Sequence, residues 1–261
     1  MPHVRSGEWH GGTSTMARAA AILDAFEPES DTLGVSELAR RTGLAKSTVH
    51  RAAAELVRLG WLERHGTEFR LGLRLFELGQ LVPRQRALKS AALPFMEDLR
   101  EATNNNVHLA VLQGVEVVYL EILRVRDAQR LPSRVGGRMP AHATGVGKAI
   151  LAFSAPEVVS ARVDAGLPRR TAYTIVMPGA LVRELQTVRQ SGIDYDRQES
   201  AVGVVCAAAP VLGPDGHAVA GLSVTGRAER LDAERMAPAV RTAALALSRR
   251  LGGVGADGVR S

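Results

Sequence analysis

The sequence predicts two domains of different class. The N-terminal part is mainly α with a β-hairpin, in the order of a winged helix-turn-helix, and the remainder is α+β with an antiparallel sheet. Three observations carry this prediction. Residues 36–59, SELARRTGLAKSTVHRAAAELVRL, hold two short amphipathic segments around a tight turn. Residues 61–71 read as two short strands around His65-Gly66-Thr67. Further on, apolar runs flank the turn residues Gln113-Gly114 and Gly213-Pro214-Asp215-Gly216, with helical patterns before, between and after them. A chain of 261 residues is long enough to bury a core in each domain.

Residues 1–13 are rich in Gly and His without period and are expected to form a disordered arm. Ser14 or Thr15 opens a first helix through Phe26, with Met16, Ala19, Ile22, Leu23 and Phe26 at helical spacing, and the polar tract 28–32 ends it. In the helix pair, Ser36 is the expected N-cap with Glu37 in the positive first turn, and Gly43 takes the left-handed cap so that Leu44 folds back onto Leu38. On a helical wheel of residues 45–59, Val49, Ala52, Ala53, Leu56 and Leu59 share one side, while Ser47, His50, Arg51, Ala54 and Arg58 share the other. Small inward residues let this helix lie close to its partner, which frees the outer face to reach into a major groove. The plainer alternative is a small helical hairpin with a basic face.

After the hairpin, GLRLFELGQLVPRQRAL (72–88) places Leu73, Phe76 and Leu78 in helical rhythm until Pro83 interrupts it, a pattern suited to a linker that pairs with a second copy of itself. Residues 91–103 read as an amphipathic helix, 104–106 as a turn, and 107–112 with 115–123 as a hairpin. A loop, LPSRVGGRMP (131–140), precedes a Gly-rich turn opening a helix at 147–152. Surface helices are expected at 156–165 and 179–190, strands at 202–212 and 218–225, and a last helix at 232–251. The resulting division is an arm at 1–13, a winged helix-turn-helix at 14–72, a linker helix at 73–90, a second domain at 91–251 and a flexible tail at 252–261.

Composition narrows the possibilities. With 46% apolar and 23% charged residues the chain is an ordinary soluble globular protein, and no apolar run is long enough to span a bilayer. The N-terminus lacks the apolar core of a signal peptide, so a cytoplasmic location without membrane association is expected. A single cysteine, Cys206, excludes an internal disulfide and any multi-cysteine zinc site. The net charge of +6 is concentrated: residues 40–74 hold eight basic side chains against three acidic ones, the footprint of a polyanion-binding module.

For DNA contact, Arg51 is the expected base reader, because a guanidinium can donate two hydrogen bonds to a guanine edge. Ser47, Thr48 and His50 assist, and Lys46 meets phosphate. Thr48 can instead satisfy backbone near the helix start, and His50 can simply face solvent. In the wing, Arg64, His65 and Arg70 would lie along phosphate or the minor groove and set register. The stretch Thr144-Gly145-Val146-Gly147-Lys148 is not a nucleotide loop, since a P-loop needs Gly where His142 stands and Ser or Thr where Ala149 stands, and a dinucleotide loop needs Gly in place of Ile150. What remains is a helix start whose backbone N–H groups suit a carboxylate or a similar anion, or else a turn needing Gly for close packing.

These motifs, taken in order, carry a family resemblance. The helix-turn-helix with STVHR (47–51), the wing running into FRLGLRLFELG (69–79), MPAHATGVGKAILA (139–152), GIDYDRQESAVGVVCAAAPV (192–211) and AVAGLSVTG (218–226) together resemble the IclR family of bacterial transcriptional regulators from about residue 15 to about residue 251. The resemblance implies an N-terminal winged helix, a linker helix in dimer contacts and a C-terminal GAF-like domain that binds a small effector and changes DNA affinity. It also implies effector contacts at Gly145, Val146, Asp196, Cys206, Ser223 and Thr225. Cys206, Ser223 and Thr225 fall in strands and can point into one cavity, with Val204 in its apolar wall. Without the resemblance, Cys206 is a small buried hydrophobe and the hydroxyls are local hydrogen-bonders.

No catalytic residue, metal site or cofactor is expected. Neither His108 nor His142 sits in a nucleophile motif with Cys206, and nothing supports a zinc site built from Cys206 and scattered histidines. The function expected is a ligand-responsive DNA-binding regulator, a repressor answering to a small carboxylate or aromatic acid. Its expected partners are a double-stranded operator, that effector and a second copy, as a dimer or a tetramer. The alternatives are an activator or dual regulator, or a DNA-binding protein without a ligand.

Overall fold

The computed structural model describes residues 14–27, 30–125 and 131–252. The expected arm at 1–13, residues 28 and 29 of the polar tract and residues 253–261 of the expected tail lie outside this description. The chain divides into two compact units that meet at Arg86 and Ala87. Among the described residues no helix is long and apolar enough to cross a membrane.

In the first unit, helix α1 (Thr15–Asp24) starts where Ser14 accepts a hydrogen bond from the Ala17 N–H, closing the first turn. Ile22 and Phe26 are buried, whereas Met16, expected inward, is 75% exposed because it lies in that first turn, beyond the core-facing residues. Strand β1 (Leu33–Gly34) precedes α2 (Val35–Thr42) and α3 (Lys46–Arg58). The expected N-cap at Ser36 is corrected to Gly34. Leu33 and Gly34 pair with Phe69 and Glu68 of the wing, so the backbone stays extended to Gly34 and turns helical at Val35. Gly43 caps α2 at φ +70 and donates to the Ala39 carbonyl, as the left-handed cap requires.

Val49, Ala53 and Leu56 of α3 are buried against Ile22, Leu38, Leu62 and Phe69. Leu59, expected on this stripe, is exposed, because it is the C-cap at which the helix ends, while Val57 packs partly against the core. Strands β2 (Leu62–His65) and β3 (Glu68–Leu71) form the wing around Gly66-Thr67, and β1 makes it a three-stranded sheet of order β1-β3-β2. Helix α4 (Leu73–Gln80) follows with Leu73 and Phe76 each 63% exposed. Pro83 does not merely interrupt the rhythm. It opens α5 (Pro83–Thr103), so the helix expected from residue 91 begins earlier, at a position where a missing N–H costs nothing.

The second unit is a six-stranded antiparallel sheet of order β6-β5-β4-β9-β8-β7. Its strands are β4 (Asn106–Gln113), β5 (Glu116–Leu123), β6 (Arg138–Pro140), β7 (Asp194–Arg197), β8 (Val204–Leu212) and β9 (Ala218–Arg227). Edge strands β6 and β7 are short and carry no alternating apolar pattern, so the sequence does not mark either as a strand. Helix α5 and α9 (Ala233–Arg250) cover one face over Val107, Leu109, Ala207, Leu222 and Val224. Helices α6 (Gly145–Ala152), α7 (Pro156–Asp164) and α8 (Pro178–Ser191) lie over the other face, with Ala110, Cys206 and Ala208. Alternation along β4, β8 and β9 therefore divides each strand between two cores.

Candidate functional site

The outer face of α3 is built by the burial of its inner one. Lys46, Ser47, His50 and Arg51 are exposed and Thr48 is half-buried, while Val49 and Leu56 are sealed in the core. Charge on this unit is more focused than a count along the chain suggests. Arg40 and Arg41 pair with Glu37, Arg58 with Glu55, Arg70 with Glu63 at 2.7 Å and Arg74 with Glu77 at 2.8 Å. Glu37 and Glu77 fall just outside the basic stretch, so a window along the sequence missed them. Their effect is mutual: the Arg40 and Arg41 guanidiniums beside Glu37 hold its carboxyl down at about 2. Among the described residues no ion pair engages Lys46, Arg51 or Arg64, and Arg64 lies over the Phe69 ring at 5.3 Å. Within the basic stretch 40–74, the cations without an ion pair among the described residues are thus Lys46 and Arg51 of α3 and Arg64 of the wing, while Arg70 is already engaged.

In the second unit, α6 is buried along its whole length. Three glycines make this possible. A Cβ on Gly147 would stand 2.1 Å from the Ala141 carbonyl oxygen, one on Gly221 2.8 Å from the Val146 oxygen, and one on Gly145 2.5 Å from Cys206 Sγ. The helix begins at Gly145, two residues before the expected start, because the Thr144 side chain accepts from the Gly147 N–H. That bond uses one of the backbone donors expected to be free.

Against the start of α6 lies a cavity with an empty volume of about 330 Å³, part of it open to solvent. Gly145, Val146, Asp196, Val204, Cys206, Ser223 and Thr225 all line it, so the structure brings every residue of that set together. Asp196 reaches it from β7 opposite Cys206 in register, and Ser223 and Thr225 come from β9 beside Cys206 and Ala208. Thr144, Ser133, Ser200, Tyr119, Met139 and His108 also line the cavity and were not singled out from the sequence. Of these only His108 left a signal, a polar side chain on the α6-facing side of an apolar strand. Ser133 and Ser200 sit in loops, where spacing carries no information.

His108 organises the polar side of the cavity. Its Nε2 is 3.3 Å from Ser133 Oγ and its Nδ1 3.3 Å from Thr225 Oγ1, which is in turn 3.3 Å from Ser223 Oγ. Burial holds the imidazole down at about 3, with the Arg124 charge adding to the effect, so it is neutral. Asp196 accepts from the Glu199 and Ser200 N–H groups at 2.7 and 3.3 Å. Tyr119 donates its hydroxyl toward Met139 Sδ at 3.5 Å and burial pushes its own pKa up. Burial likewise raises the Cys206 thiol, which stays protonated and is no nucleophile. Among the described residues no group of three His, Cys, Asp or Glu side chains is placed to hold a metal ion. The arrangement can bind a small molecule by hydroxyls, an imidazole, a carboxylate and helix-start amides.

Fold and cavity thus define a chain that joins a winged helix-turn-helix to an α+β ligand-binding unit. The family model of the IclR helix-turn-helix domain matches residues 15–66, and that of the bacterial transcriptional regulator IclR C-terminal domain matches residues 81–249. Similar proteins include the HTH-type transcriptional regulator XynR of Escherichia coli K12, 31% identical over 91% of this chain and 97% of its own length. The HTH-type transcriptional repressor AllR of the same organism is 30% identical over 86% of this chain and 84% of its own. Among solved structures, an IclR homolog from Microbacterium hydrocarbonoxydans complexed with 4-hydroxybenzoate has a TM-score of 0.83 at 32% identity, covering 91% of this chain and 99% of that one. This chain belongs to the IclR family: it is a transcriptional regulator with a DNA-binding helix-turn-helix and an effector-binding C-terminal domain.

Proposed function

We propose that the protein is a repressor that binds its operator as a homodimer, or as a tetramer, in the cytoplasm, and that a small carboxylate or aromatic acid bound in the cavity changes its operator affinity. The observation that carries the DNA half is the sidedness of α3, with Arg51 open and without an ion pair among the described residues and Val49 buried behind it. In this reading Arg51 contacts a base edge, Ser47, Thr48 and His50 assist, and Lys46, Arg64 and Arg70 contact phosphate. Arg70 must leave Glu63 to do so.

Residues 14–72 act as the DNA-binding domain, 73–90 as the linker and 91–251 as the effector-binding domain. The exposed apolar face of α4 supports pairing of two linkers, which sets two winged helices over half-sites about one helical turn apart. Effector contacts fall to Gly145, Val146, Asp196, Val204, Cys206, Ser223 and Thr225, which share one cavity. The 4-hydroxybenzoate complex of the Microbacterium relative supports an aromatic acid, and the name of AllR supports repression. An effector that prefers one arrangement of the C-terminal domains shifts the arrangement of the winged helices by linkage.

The test is a thermal-shift panel of benzoate, 4-hydroxybenzoate, lactate and pyruvate, followed by DNA binding to the region upstream of its own gene with and without each acid that shifts. One or more acids should raise the melting temperature and lower operator affinity. DNA binding with no response to any compound rules out the sensor half of the reading.

A further inference from the structure

Among the described residues no Lys or Arg lines the cavity, and His108 is neutral. The nearby Lys148 is 0% exposed and spent behind the cavity, with its Nζ 2.5 Å from Glu199 Oε1, 3.4 Å from Asp194 Oδ1 and 3.8 Å from Glu184 Oε1, and donating to the Tyr195 carbonyl at 3.1 Å. Asp194 and Asp196 alternate on β7, so both face α6. Asp194 is 1% exposed and neither of its carboxylate oxygens has a hydrogen-bond partner among the described residues. Its Oδ2 lies 3.4 Å from where a side chain on Gly145 would begin, so this carboxyl sits directly behind the wall that Gly145 and Asp196 give the cavity, without lining it itself.

Charged and titratable groups surround the pair on several elements. Helix α6 brings Lys148, α8 brings Glu184, the loop after β7 brings Glu199 and β8 brings Cys206. Across the cavity stand His108 of β4 and Tyr119 of β5, with Arg124 bonded to the Ser133 carbonyl and Arg170 to the Ser200 carbonyl. Three carboxyl groups thus gather on one ammonium, with Asp196 next along β7, before any ligand arrives.

We infer that the effector's negative charge is balanced by a proton instead of a side-chain cation: a monocarboxylate binds together with one proton from solvent, taken up by the Asp194–Asp196 pair, and dianions are excluded. Carboxyl groups crowded in a closed site cannot all ionise, and a further anion beside them favours an O–H bond on Asp194 or Asp196. A second anionic charge on the ligand would require a second proton. Burial already raises both carboxyls, which lowers the cost of that uptake. The inference rests on the carboxylate reading of the effector given above.

Calorimetry of the full chain tests it, with benzoate, 4-hydroxybenzoate and lactate titrated in phosphate and in Tris. Uptake should be close to one proton per ligand bound, and affinity should fall about tenfold per pH unit between about pH 6 and about pH 8, where the ligands themselves no longer titrate. Malonate and terephthalate should bind at least about 100-fold more weakly than malonamate and 4-carbamoylbenzoate, which match them in shape with one charge fewer. Asp194→Asn should flatten the pH dependence while a monocarboxylate still binds, and should this variant not fold, the wild-type buffer series decides alone. Binding without buffer dependence, or dianions as tight as monoanions, overturns the inference and leaves the carboxylate reading standing. Failure of all three monocarboxylates to bind removes the carboxylate reading and the inference with it.

Discussion

Two helices of this protein, α3 and α6, each carry a lysine in their first four residues, and the two lysines meet opposite fates. Lys46 opens α3 in solvent with no ion pair among the described residues, while Lys148 of α6 is wholly buried among three carboxylates. The difference lies in what surrounds each helix. Alternate sides of α3 are core and water, because its inner stripe of Val49, Ala53 and Leu56 packs on one layer only. Glycines at 145, 147 and 221 let α6 sink onto a sheet beneath α8, so no side of it reaches water. A cation left in solvent remains available to a polyanion, whereas one taken out of water must be neutralised on the spot.

The contrast can be broken most forcefully at Lys148. Lys148→Met should destabilise the fold by about 3–5 kcal/mol in urea unfolding, because it strands buried carboxyl groups without their cation. A loss below about 1 kcal/mol would mean that those acids are neutral even with the lysine present. A second, somewhat smaller effect concerns acid. The fold holds His108 near 3 and His142 near 4, so in the native state they stay unprotonated where the unfolded chain takes up protons. Stability from these groups is present above about pH 6.5 and is lost as pH falls toward the folded values, with His108 accounting for about 2 kcal/mol between pH 7 and pH 5. Buried Asp194, Asp196 and Glu199, raised by desolvation, work in the opposite sense. The imidazole's share is therefore read as the difference between wild type and His108→Gln, and identical acid profiles for the two would refute it.

On the open helix the effects move from stability to binding. Arg51→Ala should cost about 1–3 kcal/mol of operator affinity in fluorescence anisotropy and leave non-specific DNA binding nearly unchanged. Equal losses on both DNAs would show that Arg51 contacts only the backbone. Lys46→Met sharpens the pair of lysines most directly, since it should alter stability by no more than about 0.5 kcal/mol yet reduce the salt dependence of DNA binding by about one phosphate contact. A stability loss comparable to that of Lys148→Met would erase the distinction between the two helices.

Local periodicity was enough to place α3, the wing and the hairpins of the sheet, since each depends on neighbours in the chain and on turn residues such as Gly43 and Gly114. Edge effects escaped it: β1 exists because the wing comes back to pair with it, and Pro83 opens a helix only because the residues after it find a core. The effector set came from the family resemblance, and it does share one cavity. His108, Ser133 and Ser200 joined that cavity unannounced, because it draws on strands and loops far apart in the chain. By itself the sequence determined which side of α3 is apolar, since a helical repeat can be read from near neighbours. Only the tertiary structure decided which arginines find an ion pair, which lysine is buried and what surrounds Asp194, because burial and charge pairing depend on residues brought together from distant positions.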